Sequence, residues 1–357
     1  MKILKKIVAV LCAFLLLNTS ACKKQNDCFS FSGFNTQITV SVSEKALSQK
    51  IKDDMRSLVR SLENEFDKDV ENSFTKRFNL SEKNQHVIAS DVALKILSVS
   101  KTAHTLSGGS FDPTVYPLVS LWGFAPYMYK PNFIPPSEEE ILSAKNLVGF
   151  DLVKIDSEHN SVTKTLDNVK MDFGGIVKGY AVEALSKILV DNGYTKGYIS
   201  VGSSSLKILS VEKLSVRHPR KNAEIIYEIN LKGQSGLSVS TSGDYEKFHL
   251  TTSGEKFCHI IDPKTGYPTN TGIASATIVG VEGALGDALT TALCLKEYSP
   301  NDNDCELMKF ISKILENYPQ SSIYVVYQKG EKKIIITNKK QGENFTLLDS
   351  EYNVVNI

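Results

Sequence analysis

The chain has 357 residues, 41 of them basic and 40 acidic for a formal net charge of +1, and 41% of it is hydrophobic. That composition is ordinary for a folded domain with room for a substantial core. Near-zero net charge, without a basic stripe interleaved with aromatics, excludes a nucleic-acid binder working through bulk charge. Small-molecule chemistry or protein contacts remain.

Lys2, Lys5 and Lys6 precede an apolar run at 7–17, which is followed by Thr19-Ser20-Ala21-Cys22. A basic head, an apolar stretch short for a membrane span, and small residues before a cysteine read as a lipoprotein-type signal peptide over 1–21. Cys22 is then the lipidated mature N-terminus, and 22–35 a lipidated tether. The expected location is the cell membrane, with the chain lipid-anchored and facing the periplasm or extracytoplasmic side. Cys28, Cys258, Cys294 and Cys305 show no C-x-x-C spacing. Neither a zinc knuckle nor a redox dithiol is indicated, and disulfides or buried free thiols both stay open.

Along the rest of the chain, 36–42 alternates Ile38, Val40 and Val42 as a half-buried strand. Segment 45–66 places Leu47, Ile51, Met55, Leu58, Leu62 and Phe66 at helical spacing. Ser90-Asp91 caps a second helix that stops at Gly108-Gly109. Six prolines make 111–136 irregular, and Ser137 with Glu140 forms a capping box. An apolar strand ending at Val169, Met171 and Phe173 runs through Gly174-Gly175 into an amphipathic helix. Further strands are expected at 198–201, 225–231, 237–240, 274–281, 321–327 and 333–337, with helices at 285–295 and 305–315. Strands cluster without strict β–α alternation. The predicted fold is therefore α+β, a largely antiparallel sheet core with flanking helices, forming one catalytic domain over 36–357.

Five segments can carry chemistry. The glycine pair at 174–175 lets backbone approach a ligand, the following helix offers free N–H groups to an anion, and Asp172 and Lys178 flank the turn with opposite charge. Residues 107–114 form a Gly-rich loop in which Pro113 holds Asp112 extended. Residues 240–245 offer hydroxyls, a glycine and a carboxylate leaving a strand. His259, three residues before Asp262 at a Pro/Gly turn, is the best general-base candidate among the six histidines. Asp287 and Thr291, four apart on one helix face, suit a hard cation that keeps water or phosphate as its other ligands.

In this order, S-G-G-S-F-D-P-T, M-D-F-G-G-I-V-K-G-Y, V-S-T-S-G-D-Y, H-I-I-D-P-K-T-G-Y-P and G-D-A-L-T-T-A, the segments resemble those of the ApbE family, the FAD:protein FMN transferases. The resemblance runs from about Thr36 to the C-terminus. It implies transfer of FMN from FAD to a Ser or Thr hydroxyl of an acceptor protein, with Mg²⁺ required and AMP released. It implies that Ser110, Phe111, Asp112, Asp172, Lys178 and Ile261 contact FAD. The Gly175 main-chain oxygen, Asp287 and Thr291 would hold Mg²⁺, and His259 or a nearby carboxylate would take the proton. The implied acceptor is an exported or membrane-bound redox subunit with a Ser/Thr flavinylation motif. Three positions depart from the family pattern. Gly175 stands where Ala is usual, Phe34-Asn35-Thr36 where Met-Gly-Thr is common, and Asp69 about where an aromatic ring is expected. A carboxylate at 69 could recruit a second metal and favour water as the nucleophile. That opens an FAD pyrophosphatase reading; a non-enzymatic FAD-binding lipoprotein is the third.

Overall fold

The computed structural model describes residues 27–125 and 127–357. The signal-peptide reading of 1–21 and the lipidation of Cys22 lie outside the described residues. Strand β1 (Asp27–Gly33) pairs antiparallel with β2 (Thr36–Val42) across Phe34 and Asn35, both left-handed at φ 53° and 55°. This corrects the tether reading of 22–35. Phe29 is buried, and a β carbon on Gly33 would stand 2.4 Å from Val59 Cγ1, so the strand lies flush on the helix behind it.

Seven more strands continue the sheet: β3 (Gly197–Val201), β4 (Ser205–Ser210), β5 (Leu237–Gly243), β6 (Ile273–Val279), β7 (Ser322–Lys329), β8 (Lys332–Thr337) and β9 (Asn353–Asn356). The nine lie side by side in chain order, every pair antiparallel except β8 with β9. The expected α+β architecture with a largely antiparallel sheet is what the chain adopts. Segment 225–231 does form a strand, Ile225–Asn230, but in a separate three-stranded sheet with Lys213–Arg217 and Phe345–Leu347.

Helices α1 (Gln49–Phe66), α2 (Phe74–Leu80), α3 (Asp91–Ser107), α4 (Tyr116–Leu121), α5 (Glu138–Lys145) and α6 (Val177–Asp191) are inserted between β2 and β3; α7 (Gly283–Leu293) and α8 (Glu306–Asn317) lie between β6 and β7. Helix α1 starts at Gln49 rather than Lys45 because the Ser48 hydroxyl accepts from Ile51 N–H at 3.3 Å, the capping position. Its buried stripe is Ile51, Met55, Val59, Leu62 and Phe66. Gly108, left-handed at φ 61°, ends α3 as expected. The proline-rich stretch is less irregular than its composition suggests, since Pro117 sits in the first turn of α4, where its missing N–H costs nothing.

The helices cover one face of the sheet and the small three-stranded sheet covers the other, giving two apolar cores. A third cluster, around Trp122, Phe133 and Ile261, is tied together by Trp122 Nε1 donating to the Gly266 carbonyl at 2.8 Å. Helices α6 and α7 touch backbone to backbone: a β carbon on Gly179 would lie 2.0 Å from the Gly283 carbonyl oxygen. That crossing brings the start of α6 against α7. Cys28, Cys258, Cys294 and Cys305 are free thiols, the last three buried. Among the described residues, no helix is long and apolar enough to cross a membrane.

Candidate functional site

The segment before the Gly174-Gly175 turn is not a sheet strand, as its apolar alternation suggests, but an extended stretch with a single bridge from Lys170 to Val115. Side chains replace the missing ladder. Asn79 accepts from Met171 N–H at 2.7 Å and donates to its carbonyl at 3.0 Å. Buried Lys164, its ammonium depressed to about 8 by burial, donates to the carbonyls of Phe78 and Val169 at 2.9 Å each. The turn then closes with Gly174 N–H donating to Asp172 Oδ1 at 2.6 Å. A β carbon on Gly174 would sit 2.9 Å from that same oxygen, so a larger residue there would push the Asp172 side chain aside and break the turn's hydrogen bond. On Gly175 a β carbon would lie 3.4 Å from the Phe111 ring and 3.8 Å from Thr291 Oγ1. Gly175, Phe111 and Thr291 therefore meet, although 64 and 116 residues separate the glycine from the other two (175 − 111 and 291 − 175).

Asp287 lies one helical turn before Thr291, buried at 6% exposure. Its Oδ2 accepts from Gly179 N–H at 2.7 Å, and Ser205 Oγ stands 2.9 and 2.7 Å from its two oxygens. Helix α6 has no side-chain cap of its own; the Asp287 carboxylate, reaching over from α7, supplies it. Burial raises this carboxyl, and the Lys178 charge with hydrogen bonds from Ser240, Ser205 and Gly179 N–H holds it at about 6. Thr291 Oγ1 is 3.1 Å from the Asp287 carbonyl and 3.2 Å from Ser242 Oγ.

Positive charge converges on the same place. Lys178 Nζ donates to Ser204 Oγ at 2.9 Å, and its charge acts on both Asp287 and His259. Burial, together with the Lys247 and Lys178 charges, drives His259 down to about 4, so its imidazole is neutral at physiological pH. His259 Nδ1 is 3.2 Å from the Lys247 carbonyl. A carbonyl only accepts, so Nδ1 carries the proton and Nε2 is left with a free lone pair. Lys247 is itself depressed, by burial and by Lys178, and feels the opposite charge of Asp172.

The Gly-rich loop 107–114 is held from inside. Lys296 Nζ donates to the Ser107 carbonyl at 2.9 Å and to Ser110 Oγ at 2.8 Å. Asp112 is buried, with Thr114 donating from both N–H and hydroxyl to Oδ1 and Phe150 N–H donating to Oδ2 at 2.9 Å. Its carboxylate faces inward and shapes the loop. Ile261 also turns its side chain inward, into the Trp122 cluster at 5% exposure. Asp69 is largely exposed, and Lys68 Nζ pairs with it at 3.1 Å. Burial alone would lower Lys68, but the hydrogen bond it donates to Asp69 and the Asp172 charge raise it. Among the described residues, no three His, Cys, Asp or Glu side chains gather to hold a metal.

Sequence reasoning missed Asn79, Lys164, Ser204, Ser205, Lys247 and Lys296. Ser205 lies in a run of three serines, but that pattern does not say what it touches.

The ApbE family model matches residues 34–304. The FAD:protein FMN transferase of Haemophilus influenzae is 27% identical over 305 residues, covering 81% of this chain and 87% of that protein. The Vibrio cholerae protein of the same name is 30% identical over 235 residues, covering 63% and 68%. Among solved structures, the ApbE protein of Thermotoga maritima superposes with a TM-score of 0.72 at 28% identity, covering 85% of this chain and 94% of that one. The flavin transferase ApbE from Vibrio cholerae shares the fold at a TM-score of 0.72 and 20% identity, covering 90% and 96%.

Proposed function

This chain belongs to the ApbE family, and from that premise we propose that it transfers FMN from FAD to a Ser or Thr hydroxyl of an acceptor protein, releasing AMP, with Mg²⁺ required. The single observation that carries the reading is the meeting of Gly175, Thr291 and the Asp287–Lys178–His259 charge cluster at the start of α6.

The donor set fits magnesium: one buried carboxylate, the Thr291 hydroxyl and a main-chain oxygen at Gly175 would hold it, leaving positions for phosphate and water. When bound, the ion supplies neutralisation of the pyrophosphate oxygens. The chain's own residues do the rest. Lys178 and Lys247 offer positive charge to the phosphates, and the α6 N-terminus offers N–H groups. Phe111 packs beside the turn. His259 Nε2 takes the proton from the acceptor hydroxyl, whose oxygen bonds to the FMN phosphorus as the bridging P–O bond breaks and AMP leaves. A base at about 4 is weak but fully deprotonated, which suits a step in which proton transfer runs late.

Asp69 pairs with Lys68, and among the described residues it belongs to no group of three His, Cys, Asp or Glu; transfer is therefore the first reading and FAD hydrolysis the second. We further propose that the chain is exported and held to the membrane through Cys22, facing an exported or membrane-bound redox subunit as acceptor. The test is in-gel flavin fluorescence of such a subunit after denaturation. Fluorescence that appears with FAD and Mg²⁺ and vanishes with EDTA supports the reading; a dark acceptor band under both conditions defeats it.

A further inference from the structure

We propose that the hairpin turn between β3 and β4, residues 202–205, is a positioning device in which Ser204 sets the Lys178 ammonium and Ser205 sets the Asp287 carboxylate. The inference rests on the flavin-transfer reading and gives two further residues a positioning role in it. Lys178 Nζ donates to Ser204 Oγ at 2.9 Å. The adjacent hydroxyl, Ser205 Oγ, lies 2.9 and 2.7 Å from the two Asp287 oxygens and is wholly buried. An ionised carboxylate only accepts, so Ser205 donates, and its single hydrogen is shared across both oxygens. One peptide unit thus fixes the spacing of the two opposite charges.

The turn is built to hold that geometry. Gly202 and Ser203 are both left-handed, at φ 63° and 58°. A serine is disfavoured in that region, a strain that the surroundings must over-determine. They do: Gly202 N–H donates to the Gln37 carbonyl on β2 at 3.0 Å, and Thr241 N–H on β5 donates to the Ser204 carbonyl at 2.8 Å. A β carbon on Gly202 would meet Thr36 Oγ1 at 3.0 Å, so the turn is packed as well as bonded.

The benefit is separation. A lysine and an aspartate free to move in a partly buried cleft would collapse into a contact ion pair. Among the described residues, no ion pair within 4.0 Å joins Lys178 to Asp287, although the lysine's charge reaches the carboxylate. Each is tethered to its own hydroxyl instead. The ammonium stays available to an anionic phosphate and the carboxylate to a cation.

The test uses the full chain with Ser204→Ala and Ser205→Ala, and two readouts. One is the Mg²⁺ concentration that half-saturates the thermal upshift at fixed FAD. The other is the Kd for FAD in EDTA, from quenching of flavin fluorescence. Loss of a partner that orients a metal ligand costs about tenfold or more in metal affinity. Ser205→Ala should raise the Mg²⁺ midpoint about tenfold while the metal-free Kd for FAD stays put. Ser204→Ala should weaken metal-free FAD binding with the Mg²⁺ midpoint unmoved. Ser205→Cys, close in size but a weak donor, should repeat the Ser205→Ala result should the alanine variant not fold. Variants that titrate like wild type overturn the proposal, and so do variants that lose both ligands in parallel. A wild-type protein that responds to neither FAD nor Mg²⁺ refutes the flavin-transfer reading itself; a responsive wild type with unchanged variants refutes only the turn's role.

Discussion

Replacing Asp287 with Asn should make the metal-free protein more stable while abolishing its activity. The carboxyl is raised from 3.8 to about 6 by burial, which corresponds to about 3 kcal/mol at 1.36 kcal/mol per decade. The sign follows from linkage: a carboxyl raised in the folded state favours folding while protonated. That contribution is fully present below 3.8 and is lost as pH rises through about 6. At pH 7.5 the wild-type fold therefore carries the cost of a buried charge that Asn does not. The amide can still accept from Gly179 N–H and donate to Ser205 Oγ, and the value of about 6 is already net of the charge-assisted part of those bonds. The gain is therefore about 3 kcal/mol. At roughly 2.1 cal/mol/K per residue over about 330 residues, Tm in EDTA should rise by about 4 °C. Differential scanning fluorimetry from pH 5 to 8 reads this directly. The advantage of the variant should shrink toward pH 5, and its Mg²⁺-dependent upshift should be gone. A variant that melts at or below wild type in EDTA at pH 7.5 refutes the buried-charge reasoning, and one that keeps full activity refutes the metal assignment.

Other outcomes follow from neighbouring residues. His259→Asn should cut transfer sharply while FAD still binds, and undiminished turnover would remove the imidazole from the mechanism. Since burial and the Lys247 charge hold His259 at about 4, the rate should lose no His259-dependent activity between pH 8 and 6. Lys247→Met should move the acid limb upward, because it removes a like charge; a limb that stays put argues against that coupling. Gly179→Ala drives a β carbon to within 2.0 Å of the Gly283 carbonyl. It should cost about 3 kcal/mol or more, seen as insoluble expression or a Tm lower by several degrees; a wild-type melt would mean the α6–α7 crossing is not tight. Cys22→Ser should release the chain from the membrane fraction and end palmitate labelling, and continued labelling would refute the anchor.

The fold was legible where one face of an element is buried and the other is wet. The stripe of α1 and the alternation of β2 carry that contrast, and so does the Ser137–Glu140 capping box. Strand β1 was hidden for the opposite reason: Phe29 and Phe31 alternate with serines, but the polar residues on either side gave the segment the look of a tether. Boundaries slipped where capping chemistry decided them, as at Ser48. At the site, the glycine turn and the Asp287–Thr291 pair could be found because their spacing is local. Asn79, Lys164, Lys296 and the serine turn could not, because each acts on a residue far away in the chain. Asn79 grips Met171, 92 positions on, and Ser205 holds Asp287, 82 positions on. Asp69 read as a spare carboxylate because the sequence does not reveal that the neighbouring lysine folds back onto it.

The decisive measurement is the intact mass of a purified acceptor subunit after incubation with this enzyme, FAD and Mg²⁺, with AMP quantified in the same tube. The expected result is a gain equal to FMN less one water, placed on a Ser or Thr, with one AMP for each adduct. Stoichiometric AMP and free FMN over an acceptor of unchanged mass would contradict it.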